Sequence, residues 1–164
     1  MPVSRAITRC SPRTWSPRAS RCANRRSSPV LRFRPHHFLC ALGYQGKGYS
    51  DGFTANMSAI VVDRLRVPGG DATPIQVTGH ADDICAPCPK RRGNLCTEQT
   101  SISRLDRAHA RALRFAPHER LTWGEAQARI RKHVQPGDLQ TLCQGCQWLA
   151  LGLCETALAR LHED

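Results

Sequence analysis

The sequence predicts an α+β domain: a small sheet, several flanking helices, a mostly helical C-terminal half and a cysteine-bound metal site. Three observations carry this expectation. Short alternating apolar runs stand in the N-terminal half, stretches of helical period dominate from residue 101 onward, and one cysteine pattern is written twice. Cys85-Ala-Pro-Cys88 followed by Cys96, and Cys143-Gln-Gly-Cys146 followed by Cys154, both read Cys-x2-Cys-x7-Cys.

The elements follow in chain order. Leu31 to Arg34 alternates like a short strand that Pro35 stops, and His36 to Leu42 reads as a helical turn. A glycine-dense loop comes next, Gly43 to Tyr49, whose spacing matches neither a dinucleotide fingerprint nor a P-loop. Ser50 is placed to cap a helix in which Phe53, Met57, Ile60, Val61 and Leu65 share a face, ending before Pro68. Pro74 to Thr78 predicts a strand that leads through Asp82 and Asp83 into the first cysteine pair; the two carboxylates are turn residues or general bases. Ser101 to Phe115 predicts a helix with Ile102, Leu105, Ala108, Ala112 and Leu113 inward and Arg104, Arg107, Arg111 and Arg114 in solvent. Thr122 and Glu125 form a capping box for a helix to about Val134, and Pro136-Gly137-Asp138 breaks the chain before the second cysteine pair.

Charge divides the chain. The formal net charge is +11, yet the first 34 residues hold nine arginines and no acidic residue, so the rest is close to neutral. Residues 1–29 are rich in Arg, Ser and Pro, lack any period, and are expected to be a disordered tail. They have the composition of a transit peptide or a polyanion-binding arm, or they reflect a start assigned too early, with the ordered protein opening near Val30. Residues 30–164 are expected to be one cysteine-rich domain. A nucleic-acid surface needs clustered charge on that body, which its near neutrality argues against. The apolar run Trp148 to Leu153 is far too short for a membrane span, so a soluble chain is expected.

Thiols two residues apart in a tight turn face one point, and two such pairs supply the four sulfurs that zinc or an iron-sulfur cluster takes from protein. Cys85, Cys88, Cys143 and Cys146 are the predicted ligands; Cys40, Cys96 and Cys154 are further candidates. His37 stands three residues before Cys40 and is a candidate ligand, with His36 placed to orient one. Cys10 and Cys22 lack the spacing and are left out. Disulfides would need an oxidising compartment, and no signal peptide is recognisable. Cys-Ala-Pro-Cys has the form of a redox dithiol, but Pro89 does not continue into the helix such a site uses. Lys90, Arg91 and Arg92 place positive charge beside an anionic centre or receive an acidic partner. Trp148, Leu149, Leu151 and Leu153 surround the second set with apolar mass, Trp148 reading most simply as core. Spacing identifies no catalytic constellation.

The strings Arg34-Pro35-His36-His37-Phe38-Leu39-Cys40, Gly46-Lys47-Gly48-Tyr49-Ser50, Asp82 to Pro89, and Cys143 to Cys154 with Trp148 resemble the domain of unknown function 1284. This is a group of small, uncharacterised bacterial and archaeal proteins often labelled iron-sulfur or ferredoxin-like from their cysteines. The resemblance covers the body, skips the tail, and implies a cytoplasmic protein with a metal site on Cys85, Cys88, Cys143 and Cys146. Two function classes stand in front: an iron-sulfur protein that transfers electrons to a redox partner or senses redox state, and a structural zinc module holding an interaction surface. A thiol-disulfide redox protein ranks third.

Overall fold

The computed structural model describes residues 29–163. The predicted tail, Pro29 apart, and with it Cys10 and Cys22, lies outside the described residues. The fold is α+β, about half helical, with six α-helices and a small mixed sheet among the described residues.

The N-terminal strand β1 (Leu31–Phe33) alternates as its sequence does, with Leu31 and Phe33 buried and Arg32 exposed. It pairs in parallel with β2 (Pro74–Val77), Leu31 opposite Ile75 and Phe33 opposite Val77. Between them run α1 (His37–Gly43) and α2 (Asp51–Ile60), the latter capped by the Ser50 hydroxyl and extended by one π-helical turn over Val61–Leu65. A hairpin of β3 (Arg91–Arg92) and β4 (Leu95–Cys96) forms a separate two-stranded ribbon.

Helix α3 (Gln99–Ala112) starts two residues before the predicted Ser101 and stops three before Phe115. It stops because Arg114 turns left-handed at φ 53, and the Phe115 N–H closes on the Ala110 carbonyl at 2.9 Å, satisfying the helix end. The four arginines predicted to face solvent are exposed, Arg104, Arg107 and Arg111 on the helix and Arg114 just past its end, but Ile102, Ala108 and Ala112 are only half-buried. The fully buried positions of the helix are Leu105, Asp106 and His109.

Strand β5 (Arg120–Thr122), which no alternating run announces, adds antiparallel to β2 and completes the order β1-β2-β5. Thr122 then begins α4 (Trp123–His133) through the predicted capping box, its hydroxyl accepting from the Glu125 N–H while the Glu125 carboxylate accepts from the Thr122 N–H at 2.6 Å. The short α5 (Leu139–Leu142) and α6 (Leu153–Glu163) complete the chain. The inner faces of β1, β2 and β5 join Phe38, Phe115, Trp123, Ile130 and Leu158 in one contiguous apolar cluster. Phe38 packs edge-on to Phe33 at 5.4 Å and against Phe115 at 4.6 Å, which seats α1 on the sheet. No helix among the described residues is long and apolar enough to cross a membrane.

Candidate functional site

Helix α1 packs directly on α6, and the contact is made by a glycine. A Cβ on Gly43 would stand 2.6 Å from both Cα and Sγ of Cys154, so only glycine permits this approach. Cys40 lies three residues earlier on α1 and shares that face. The Cys143–Cys146 turn is closed by the Cys146 N–H donating to the Cys143 carbonyl at 2.8 Å. These three segments border a cavity of about 240 Å³ lined by Cys40, Cys143, Cys146 and Cys154. Three imidazoles, His36, His37 and His109, line it too.

Behind the imidazoles lies a buried polar network. Asp82, only 1% exposed, accepts at Oδ2 from the Arg34 N–H and from His37 Nδ1, both at 2.6 Å, and at Oδ1 from the Cys85 N–H at 3.0 Å. Asp106 accepts from His36 Nδ1 at 2.6 Å and from Arg34 Nε at 2.8 Å. Each carboxylate therefore fixes one ring through Nδ1, and neither Nε2 has a protein partner among the described residues. This is the arrangement that orients a histidine toward a guest. His109 donates Nδ1–H to the Leu105 carbonyl at 2.8 Å, which leaves Nε2 as acceptor for the Cys143 thiol at 3.4 Å.

Burial, helped by the charge of His37, pushes His36 down to about 4. The imidazole is then neutral at pH 7, so the cation that keeps Asp106 ionised is Arg34, whose Nη2 lies 2.7 Å from Oδ2. Burial alone would raise Asp82, but the His37 charge and the three hydrogen bonds it accepts outweigh that and hold it at about 2. Three of the cavity thiols move the other way. Burial first, then the neighbouring thiols, pushes Cys143 up to about 12, Cys154 up to about 11, and Cys40 well above the usual thiol range. They are neutral thiols that become thiolates only when a cation replaces their protons.

The first cysteine set sits apart. Cys85, Cys88 and Cys96 are half-buried and do not line the cavity. Cys85 and Cys88 are held by a turn whose approach is pinned by Asn56, its Nδ2 donating to the Asp83 carbonyl at 3.0 Å, while Cys96 lies in β4 opposite Arg91. Tyr49 stands between the sets. Burial above all pushes its hydroxyl up to about 12. Trp148 is half-buried rather than core, packed edge-on to Tyr49 at 5.3 Å on the cavity wall, with Lys90 Nζ 5.1 Å over the Tyr49 ring.

Among the described residues, one set of three His, Cys, Asp or Glu donor atoms lies mutually within 4.8 Å: His37, Asp82 and Cys85. Its closest pair, His37 Nδ1 and Asp82 Oδ2, is at hydrogen-bond distance, shorter than the roughly 3.3 Å between donors of a tetrahedral zinc site with 2.0–2.1 Å bonds. The four cavity thiols contain no such set of three. Sequence reasoning singled out His37 and all seven cysteines but missed Asp106 and His109. Their signal was a pair of polar residues inside the apolar stripe of α3, where solvent cannot satisfy them.

A family model described as "Protein of unknown function (DUF1284)" matches residues 48–152, a span that includes both Cys-x2-Cys pairs and Cys96. No curated protein and no solved structure matches the chain.

Proposed function

The chain belongs to the DUF1284 family, and we propose that it is a metal-binding protein whose cavity thiols, Cys40, Cys143, Cys146 and Cys154, hold an iron-sulfur cluster used for electron transfer or redox sensing. One observation carries the reading: four thiols from three segments line a single cavity, while no three of them lie within 4.8 Å of one another. Four sulfurs on one zinc ion, with bonds of about 2.3 Å, would stand roughly 3.8 Å apart. Sulfurs that bind separate iron atoms of a cluster stand wider. The donor set suits a polynuclear guest better than a single ion.

The chain's own residues would serve such a guest in definite ways. Leu149, Leu151 and Leu153 line the same cavity and would keep water from it. His109 meets the Cys143 sulfur, and a hydrogen bond at a ligating sulfur tunes potential. The cluster, when bound, supplies one-electron redox chemistry. Lys90 beside the Tyr49 ring, followed by Arg91 and Arg92, offers cationic charge for an acidic redox partner. All seven described cysteines are free thiols, which fits a reducing, cytoplasmic setting.

Anaerobic purification of the full chain tests the proposal. A brown protein with iron and acid-labile sulfide in equal amounts is expected. A colourless protein with stoichiometric zinc replaces the proposal with the zinc-module reading.

A further inference from the structure

Resting on the cavity reading above, we propose that Glu155 is a further ligand of the guest, binding one of its metal atoms through Oε2. Three observations meet at this carboxylate. First, Glu155 lines the same cavity as Cys40, Cys143, Cys146 and Cys154, and it follows Cys154 directly in the first turn of α6. After burial and the neighbouring thiols, its charge adds to the rise of the Cys143 and Cys154 thiols, which places it beside both. Second, its two oxygens are used differently. Oε1 accepts from the N–H of Gly137, whose φ of 97 is left-handed backbone that favours glycine. Oε2 is sealed from solvent and has no donor among the described residues. Third, the ion pairs of the described residues give this carboxylate no Lys, Arg or His.

The helix dipole favours an acidic side chain in a first turn. It accounts for the residue type, but not for an oxygen withdrawn from water without a partner, a state buried polar atoms avoid. A cation in the cavity supplies the partner. Glu155 belongs to no set of three donors within 4.8 Å among the described residues, so its oxygen serves one atom of an extended guest, as the spread thiols do. Oxygen is a harder donor than thiolate sulfur. The metal atom it binds is therefore set apart from its sulfur-bound neighbours.

Mössbauer spectroscopy of the anaerobically purified full chain tests the assignment in an iron protein, and X-ray absorption tests it in a zinc protein. The expected results are one iron subsite of higher isomer shift than sulfur-ligated iron, or one oxygen at about 2.0–2.2 Å beside the zinc sulfur shell. Nitrogen coupling at that subsite, read by electron–nuclear double resonance, would assign it to an imidazole and overturn the proposal in the parent chain itself. Glu155→Gln keeps the shape and the carbonyl that accepts from Gly137 but sets an amide NH2 in place of Oε2. It should abolish the subsite and speed metal loss to a chelator at least about tenfold. A variant that keeps the subsite overturns the proposal. Iron and sulfide with sulfur ligation alone overturns it while keeping the cluster. Zinc with an oxygen that Glu155→Gln removes keeps it while removing the cluster.

Discussion

Gly43 of α1 and Cys154 of α6 stand so close that the glycine hydrogen occupies the place of a Cβ, which would meet the Cys154 Cα and Sγ at 2.6 Å. Two helices 110 residues apart in sequence are thereby set at the separation that puts Cys40 and Cys154 on one cavity. Gly43→Ala should push them apart, at a cost of about 1–3 kcal/mol of stability, and lower bound metal per chain. Urea denaturation alongside iron and zinc analysis checks both; a variant with unchanged midpoint and full metal would contradict the contact.

The cavity thiols and the outer thiols should behave differently. Ser at Cys40, Cys143, Cys146 or Cys154 is expected to cut metal retention by at least about tenfold. Ser at Cys85, Cys88 or Cys96 should leave it near the parent level. Equal loss across all seven, measured by metal analysis after gel filtration, would move the centre toward the first cysteine set.

Asp106 neutralises an Arg34 whose side chain is 1% exposed. Asp106→Ala leaves that guanidinium buried without its counter-charge, and the expected destabilisation is about 3–5 kcal/mol. Chemical denaturation at pH 7 reads it. Because Arg34 also donates its N–H to Asp82, the loss should spread to the turn that carries Cys85, visible as faster amide exchange there.

Acid should unfold the chain in two stages. Folding holds His36 at about 4 against an ordinary 6.5, so between those values the unfolded chain binds a proton that the folded chain lacks, and stability falls as pH drops through this window. His109, lowered mainly by burial, adds to the same loss. Asp82, held at about 2 against 3.8, contributes stability that is complete above pH 4 and disappears as pH falls toward 2. His36→Asn keeps a donor for Asp106 and should flatten the upper window by up to roughly 3 kcal/mol. Denaturation midpoints across pH 4–7 for parent and variant decide this; parallel curves would count against a neutral buried imidazole.

Arg114 ends α3 at φ 53, where a side chain is strained and glycine is not. Arg114→Gly should therefore stabilise the protein by about 1 kcal/mol and raise Tm by a few degrees. Thermal unfolding followed by circular dichroism shows whether it does.

Much of the architecture was legible because it is local. Alternation placed β1 and β2, Ser50 and the Thr122–Glu125 box set two helix starts, and the Cys-x2-Cys pairs announced two tight turns that both exist. Elements without local pattern escaped: β5 is three residues long and owes its strand to pairing with β2. The end of α3 escaped because a left-handed arginine leaves no mark in the sequence.

The sequence by itself determined which atoms are available: seven thiols in the body, a histidine pair near Cys40, and two turns that aim sulfurs in pairs. Tertiary structure alone decided which of them meet. The packing of α1 on α6 through Gly43, and of α3 with its inward Asp106 and His109, joins Cys40 to the C-terminal thiols rather than to Cys85 and Cys88. Spacing encodes only the few ångströms a turn can span. A cavity between helices is shaped by the fit of side chains far apart in the chain, and burial there sets the charges of its histidines and thiols.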